Sequence, residues 1–122
     1  MDRSSTITFR GKEYELVLSN EALCSLAEKY GGIENLGSKL MEGKSLSDII
    51  YIVVLLANQS ILQYNFDHKD KPKELLTEEE FKLFSAPYEL NAYGEAAGKA
   101  IEIGMKQYIQ SEDNHSKNVA VG

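Results

Sequence analysis

Residues 6–9 and 13–18 alternate apolar and polar side chains, with Ile7 and Phe9 on one side, then Tyr14, Leu16 and Leu18. Arg10-Gly11-Lys12 lies between the two runs. Period-two alternation on either side of a glycine-containing turn predicts a β-hairpin over 6–18. A lone hairpin is marginal in water, so it must lie on other elements. Beyond it the period changes to that of helices. Ser19 or Asn20 is placed to cap a helix over 21–30, in which Leu23, Leu26, Ala27 and Tyr30 share a face and Gly31-Gly32 ends the run. A short second helix is predicted over 33–41, presenting Ile33, Leu36 and Leu40 and ending near Gly43.

Ser45-Leu46-Ser47-Asp48 reads as a capping box opening a third helix, to about Tyr64. Its stretch from Ile49 to Ala57 is apolar on every face, which places it at the centre of a bundle or against a partner. Residues 66–76 form a polar connection containing Pro72 and are expected to be mobile. Thr77-Glu78-Glu79-Glu80 is a second capping box, starting a short helix with Phe81 and Phe84. Pro87 ends that helix or opens the next. The last helix is predicted over about 88–109, with Leu90, Tyr93, Ala97, Ala100, Ile101, Gly104 and Tyr108 on one face. The expected fold is therefore mainly α: a bundle of about five helices with a small N-terminal hairpin. It forms one globular domain over 1–110, followed by a flexible polar tail over 111–122.

Composition narrows the function. The 122 residues fit one domain, and 43% hydrophobic with 26% charged residues allows a packed core. A net charge of −6, with the 13 Lys and Arg scattered, disfavours nucleic acid and anionic membrane surfaces as partners. The longest apolar run is about half the ~20 residues needed to span a bilayer. Cys24 is the only cysteine, so an internal disulfide is excluded and a reducing, cytoplasmic setting is expected.

Candidate chemistry is sparse, and no catalytic, cofactor or metal site is predicted. Asp67-His68-Lys69-Asp70 offers a single imidazole in a loop, with a lysine between the carboxylates, and His115 lies in the tail. Cys24 has no histidine near it in sequence and reads as a partly buried structural thiol. Glu78-Glu79-Glu80 complements the helix dipole. No glycine loop carries the lysine and hydroxyl of a phosphate-binding motif.

One feature stands above this background. The last helix carries Gly94 and Gly98, then Ala96, Ala100 and Gly104 at intervals of four. Each interior glycine costs roughly 0.8–1 kcal/mol relative to alanine, so close approach of another backbone is expected there. That neighbour belongs either to this chain or to a partner. The contact surfaces expected for a partner are Ile52, Leu55, Leu56 and Gln59 on the third helix, and Tyr93, Gly94, Ala97, Gly98, Ile101, Gly104 and Tyr108 on the last.

The succession Ile7-Thr8-Phe9-Arg10-Gly11-Lys12-Glu13-Tyr14-Glu15-Leu16, Leu26-Ala27-Glu28-Lys29-Tyr30-Gly31-Gly32, Ser45-Leu46-Ser47-Asp48-Ile49-Ile50, Leu75-Leu76-Thr77-Glu78-Glu79-Glu80 and Ala100-Ile101-Glu102-Ile103-Gly104-Met105 resembles the tail assembly chaperones of long-tailed phages and prophages of Gram-positive hosts. The resemblance covers about residues 7–110. It implies a non-catalytic protein that binds the tape measure protein, keeps it soluble while tail tube protein polymerises around it, and stays in the bacterial cytoplasm rather than the mature virion. It also implies a longer frameshifted form, for which Lys117-Asn118 is a suitable site, and allows a homo-oligomer. The alternatives are a small helical DNA-binding regulator, which the charge disfavours, and a small enzyme whose site is assembled only in the fold.

Overall fold

In the computed structural model, which describes residues 5–32 and 46–121 (side chains only up to 106), the chain opens with β1 (Ser5–Phe9) and β2 (Lys12–Leu16). The strands pair antiparallel with Phe9 opposite Lys12 and Ser5 opposite Leu16. Arg10 and Gly11 both take positive φ, 53° and 76°, as a two-residue hairpin turn requires. Glycine does this freely; arginine does not, and a residue in this region is disfavoured by roughly 1–2 kcal/mol. Its guanidinium lies 3.6 Å from the centre of the Phe84 ring and 3.1 Å from Glu80 Oε2, and these contacts hold the turn. Ser5, Ile7 and Phe9 alternate inwards on β1, joined by Leu16 from β2.

Four α-helices follow among the described residues: α1 (Asn20–Tyr30), α2 (Leu46–Asp67), α3 (Glu78–Phe84) and α4 (Leu90–Val121), with a 3₁₀ turn at Pro87–Glu89 before the last. The mainly helical class with an N-terminal hairpin is as the pattern predicts, with four helices among the described residues where about five were expected over the whole chain. The helix expected over 33–41 and the Ser45 cap lie outside the described residues. At α1 the Ser19 hydroxyl accepts from the Ala22 N–H, and Gly31 and Gly32 both donate to the Ala27 carbonyl. At α3 the Thr77 hydroxyl accepts from the Glu80 N–H. Helix α4 continues to Val121, beyond the end expected near 109. No glycine or proline occurs over 105–121, so nothing interrupts its hydrogen-bond ladder.

The centre of the fold is α2, which packs against β2, α4, α3 and α1. It buries Ile50, Ile52, Val53, Val54, Leu56, Ala57 and Ile61, which is why its sequence is apolar on all sides. By length and composition alone it would also suffice to cross a membrane. Phe81 stands at the junction of α3 with two other elements, β1 and α4, fully buried, with ring centres 4.8 Å from Phe9 and 5.0 Å from Tyr93.

The connection expected to be mobile is strapped to α2 by two asparagines. Asn58 donates to the Leu76 carbonyl (2.7 Å) and accepts from the Leu76 N–H (2.8 Å). Asn65 does the same at Lys73, at 2.9 and 2.8 Å. Two helical turns from Asn58 to Asn65 rise about 10.5 Å. Three extended residues from Lys73 to Leu76 span about 10 Å. The matching lengths let one helix face hold both points and seat Leu76, 3% exposed, in the core. Asn58→Ala is expected to cost about 1–2 kcal/mol, because it leaves both Leu76 backbone groups without their partner. Chemical denaturation measures the loss, and amide exchange should show the strap opening before the rest. An unchanged midpoint would contradict the strap's role.

Candidate functional site

The residues expected at a partner surface are mostly inside the protomer. Ile52, Leu56, Tyr93, Ala97 and Ile101 are buried hydrophobic residues of the core. Gln59, 4% exposed, is the buried polar group of α2: its Oε1 accepts from the Ser19 hydroxyl at 2.5 Å and its Nε2 lies 3.4 Å from Glu21 Oε1. It thus supports the N-cap of α1. Leu55, Gly94, Gly98 and Gly104 are half-buried. The Tyr108 side chain lies outside the described residues. At most of these positions the neighbour is this chain.

Gly104 shows this at atomic distance. A Cβ built there would lie 2.8 Å from Leu18 Cβ and 2.9 Å from Leu18 Cδ2, so the missing side chain makes room for the segment linking β2 to α1. At Gly94 the same atom would sit 3.7 Å from Ile49 Cγ2, an ordinary contact. The small-residue stripe is therefore not uniform: Gly104 has a tight neighbour within this chain and Gly94 does not.

Large apolar side chains left outside include Leu46, Leu62, Phe66 and Leu75, and three more stand close together in sequence. Leu83 (70% exposed), Phe84 (55%) and Tyr88 (85%) crowd into six residues at the end of α3 and the following turn. Phe84 carries the Arg10 guanidinium on its ring, and Leu83 is the more exposed of the two. The sequence pattern placed Phe81 and Phe84 on this short helix without separating their burial. The signal it missed is that α3 has only seven residues and a single fully buried one, Phe81, so its other apolar positions face out.

No set of three or more His, Cys, Asp or Glu side chains among the described residues is placed to hold a metal. His68 stacks on Tyr64 with centres 3.9 Å apart, and its Nδ1 lies 2.8 Å from the Tyr64 carbonyl, so it closes the C-terminus of α2. Cys24 is exposed, not partly buried as expected, because Ala22 and Leu26 occupy the inner line of α1 and one position away is already outside.

Four tyrosines are perturbed in one direction. Burial raises Tyr14, Tyr30, Tyr51 and Tyr93 above the usual phenol range. Tyr30 is raised further by donating to Asp48 (2.7 Å), and Tyr93, pushed up to about 12, by donating to Glu89 (3.1 Å). An unfolded chain loses these protons near pH 10. The stability they contribute is therefore complete below about pH 10 and is lost as pH rises towards 12. The denaturation midpoint is expected to fall across that window, and more shallowly in Tyr93→Phe. Equal slopes in the two proteins would contradict the assignment.

Two grooves flank the hairpin. One, of about 390 Å³, separates β1 from the start of α4 at Tyr88, Ala92 and Ala96. The other, of about 780 Å³, lies between β2 at Glu13 and Glu15, α2 at Ile61 and Tyr64, and the strap at Lys73 and Glu74. Set against known proteins, the chain matches no protein-family model, no curated protein and no solved structure.

Proposed function

We propose that this is a non-catalytic binding protein that chaperones a helical client, and that the client is the tape measure protein of a long-tailed phage, held soluble in the host cytoplasm until tail tube protein polymerises around it. The observation that carries the reading is the exposed run of Leu83, Phe84 and Tyr88 beside the hairpin turn. Large apolar side chains exposed together mark surfaces that meet another chain. Tyrosine suits such a surface because its ring buries area while its hydroxyl stays wet. The sequence resemblance supplies the client's identity, and the net charge of −6 would keep a loaded filament in solution. Many copies along one long client gain from avidity, so each patch can be small.

The proposed contact surface lies away from the α2 face and the glycine stripe, whose residues mostly serve the core. Its test is co-expression with a tape measure protein. The intact chain is expected to keep the client in the soluble fraction and to co-purify with it. Leu83→Ser combined with Tyr88→Ser should abolish both effects while the circular dichroism spectrum stays unchanged. A client that remains insoluble with the intact chain, or stays bound to the double variant, would overturn the proposal.

A further inference from the structure

The hairpin has two outer edges, and its register shows which backbone groups they present. Across a two-residue turn the closing pair Phe9–Lys12 exchanges hydrogen bonds, so Ile7–Tyr14 and Ser5–Leu16 do too. The alternate residues, Thr6 and Thr8 on β1 and Glu13 and Glu15 on β2, turn their N–H and C=O groups outwards. Two contacts agree with this parity. The outward carbonyl of Thr8 accepts from the Tyr93 hydroxyl at 3.2 Å. The N–H of Val17, two residues beyond Glu15, donates to the Leu56 carbonyl of α2 at 3.2 Å.

The edges then differ. On β1, Tyr93 takes one outward carbonyl and α4 stands alongside across the smaller groove. On β2, the outward N–H and C=O groups of Glu13 and Glu15 have no hydrogen-bond partner among the described residues, and they border the groove of about 780 Å³. That volume is within the range of about 300–1,000 Å³ typical of ligand sites. Its floor is the Ile61–Tyr64 turn of α2 and its far wall is the strap.

We propose that the outer edge of β2 is a docking site for an extended segment of a partner protein with the pattern basic–apolar–basic, added as a third strand. Glu13 and Glu15 are about 6.8 Å apart along the strand, the repeat of residues i and i+2 in an incoming antiparallel strand. Their two N–H and two C=O groups supply four main-chain hydrogen bonds, the ordinary source of affinity in strand addition. Their side chains are exposed and share the outer face with Thr6 and Thr8. Side chains of the added strand on that face come within about 4.5–5.5 Å at Cβ, where Lys or Arg pairs with each carboxylate. The residue between them points to the inner face and meets Ile61 and Tyr64.

The charges select the occupant. A second copy docking through the same edge would set Glu13 and Glu15 against their own kind, which opposes self-pairing. Net charge −6 draws a basic partner from a distance. Of the cations lining the groove, Lys73 lies 4.2 Å from the Tyr64 ring centre, and Lys12 sits at the turn end, so the basic pattern is confined to the two positions opposite Glu13 and Glu15. This surface is separate from the Leu83–Phe84–Tyr88 run, so the site can fail without the chaperone reading failing, and the reverse.

The test is titration of the isotope-labelled full chain with an alternating Lys-Val peptide, followed by amide shifts and hydrogen exchange. The Glu13 and Glu15 amides are expected to shift and to exchange at least about tenfold more slowly, while the Thr6 amide stays unchanged. Substituting Glu for Lys in the peptide, or making the Glu13→Lys/Glu15→Lys variant, should weaken binding by about tenfold or more. Methylating the peptide's pairing amides should do the same. The proposal is overturned if the Glu13 and Glu15 amides do not respond, if the acidic or methylated peptide binds equally well, or if protection grows with protein concentration in the absence of peptide.

Discussion

Phe81→Ala is expected to destabilise the protein by about 3–5 kcal/mol, the usual cost of emptying a closed aromatic site. Small domains have only about 5–15 kcal/mol of total stability, so the variant should be partly unfolded at moderate temperature. The size of the effect follows from position. Phe81 is fully buried and touches Phe9 of β1 and Tyr93 of α4, while belonging to a seven-residue helix. A helix of that length is not stable by itself. Removing the ring therefore detaches α3 and loosens the hairpin, taking the Arg10–Glu80 and Arg10–Phe84 contacts with it. Urea denaturation with a fluorescence or dichroism readout measures the loss. A change below about 1 kcal/mol would mean that the aromatic junction is not the keystone described here.

The same substitution at two glycines of α4 is expected to have opposite signs. Gly94→Ala gains helix propensity of about 0.8–1 kcal/mol, and its Cβ meets Ile49 at a comfortable 3.7 Å, so the protein becomes more stable. Gly104→Ala gains the same propensity but drives a methyl group to 2.8 Å from Leu18 Cβ. That atom is bonded to the backbone and cannot rotate away, so the chain between β2 and α1 must shift. Overpacking of this kind costs about 1–3 kcal/mol and occasionally more, which outweighs the propensity gain. Thermal melts of the two variants, moving in opposite directions, are the expected result. Stabilisation by both would show that the Leu18 segment yields easily, and that the stripe has no tight intramolecular neighbour.

These two residues also show why the stripe is ambiguous when read as sequence. Gly94 and Gly104 look alike: both interrupt a helix and both lie near the apolar face. What separates them is Leu18, 86 positions from Gly104 along the chain. No local pattern carries that distance. The same holds for Gln59. A polar residue following an apolar run looks available to a partner, yet it is buried because α1 begins beside it and uses it to hold Ser19. Asn58 and Asn65 were not recognisable as a strap, since their partners are backbone groups of a segment whose own sequence suggests only a loop.

Elements governed by neighbours in sequence were legible. Alternation and a turn glycine defined the hairpin, and Ser19, Gly31 and Thr77 marked helix ends through bonds that reach at most five residues. The uniformly apolar stretch of α2 identified the central helix, because only a helix with neighbours on several sides can bury every face. Which surface stays open was decided by the tertiary structure. The faces of α2 and α4 richest in apolar and small residues were consumed by each other, by the hairpin and by Leu18, while the short α3 turned Leu83 and Phe84 outwards. Periodicity states how much of a helix must be covered; only the packing of elements distant in sequence determines what covers it and what remains exposed.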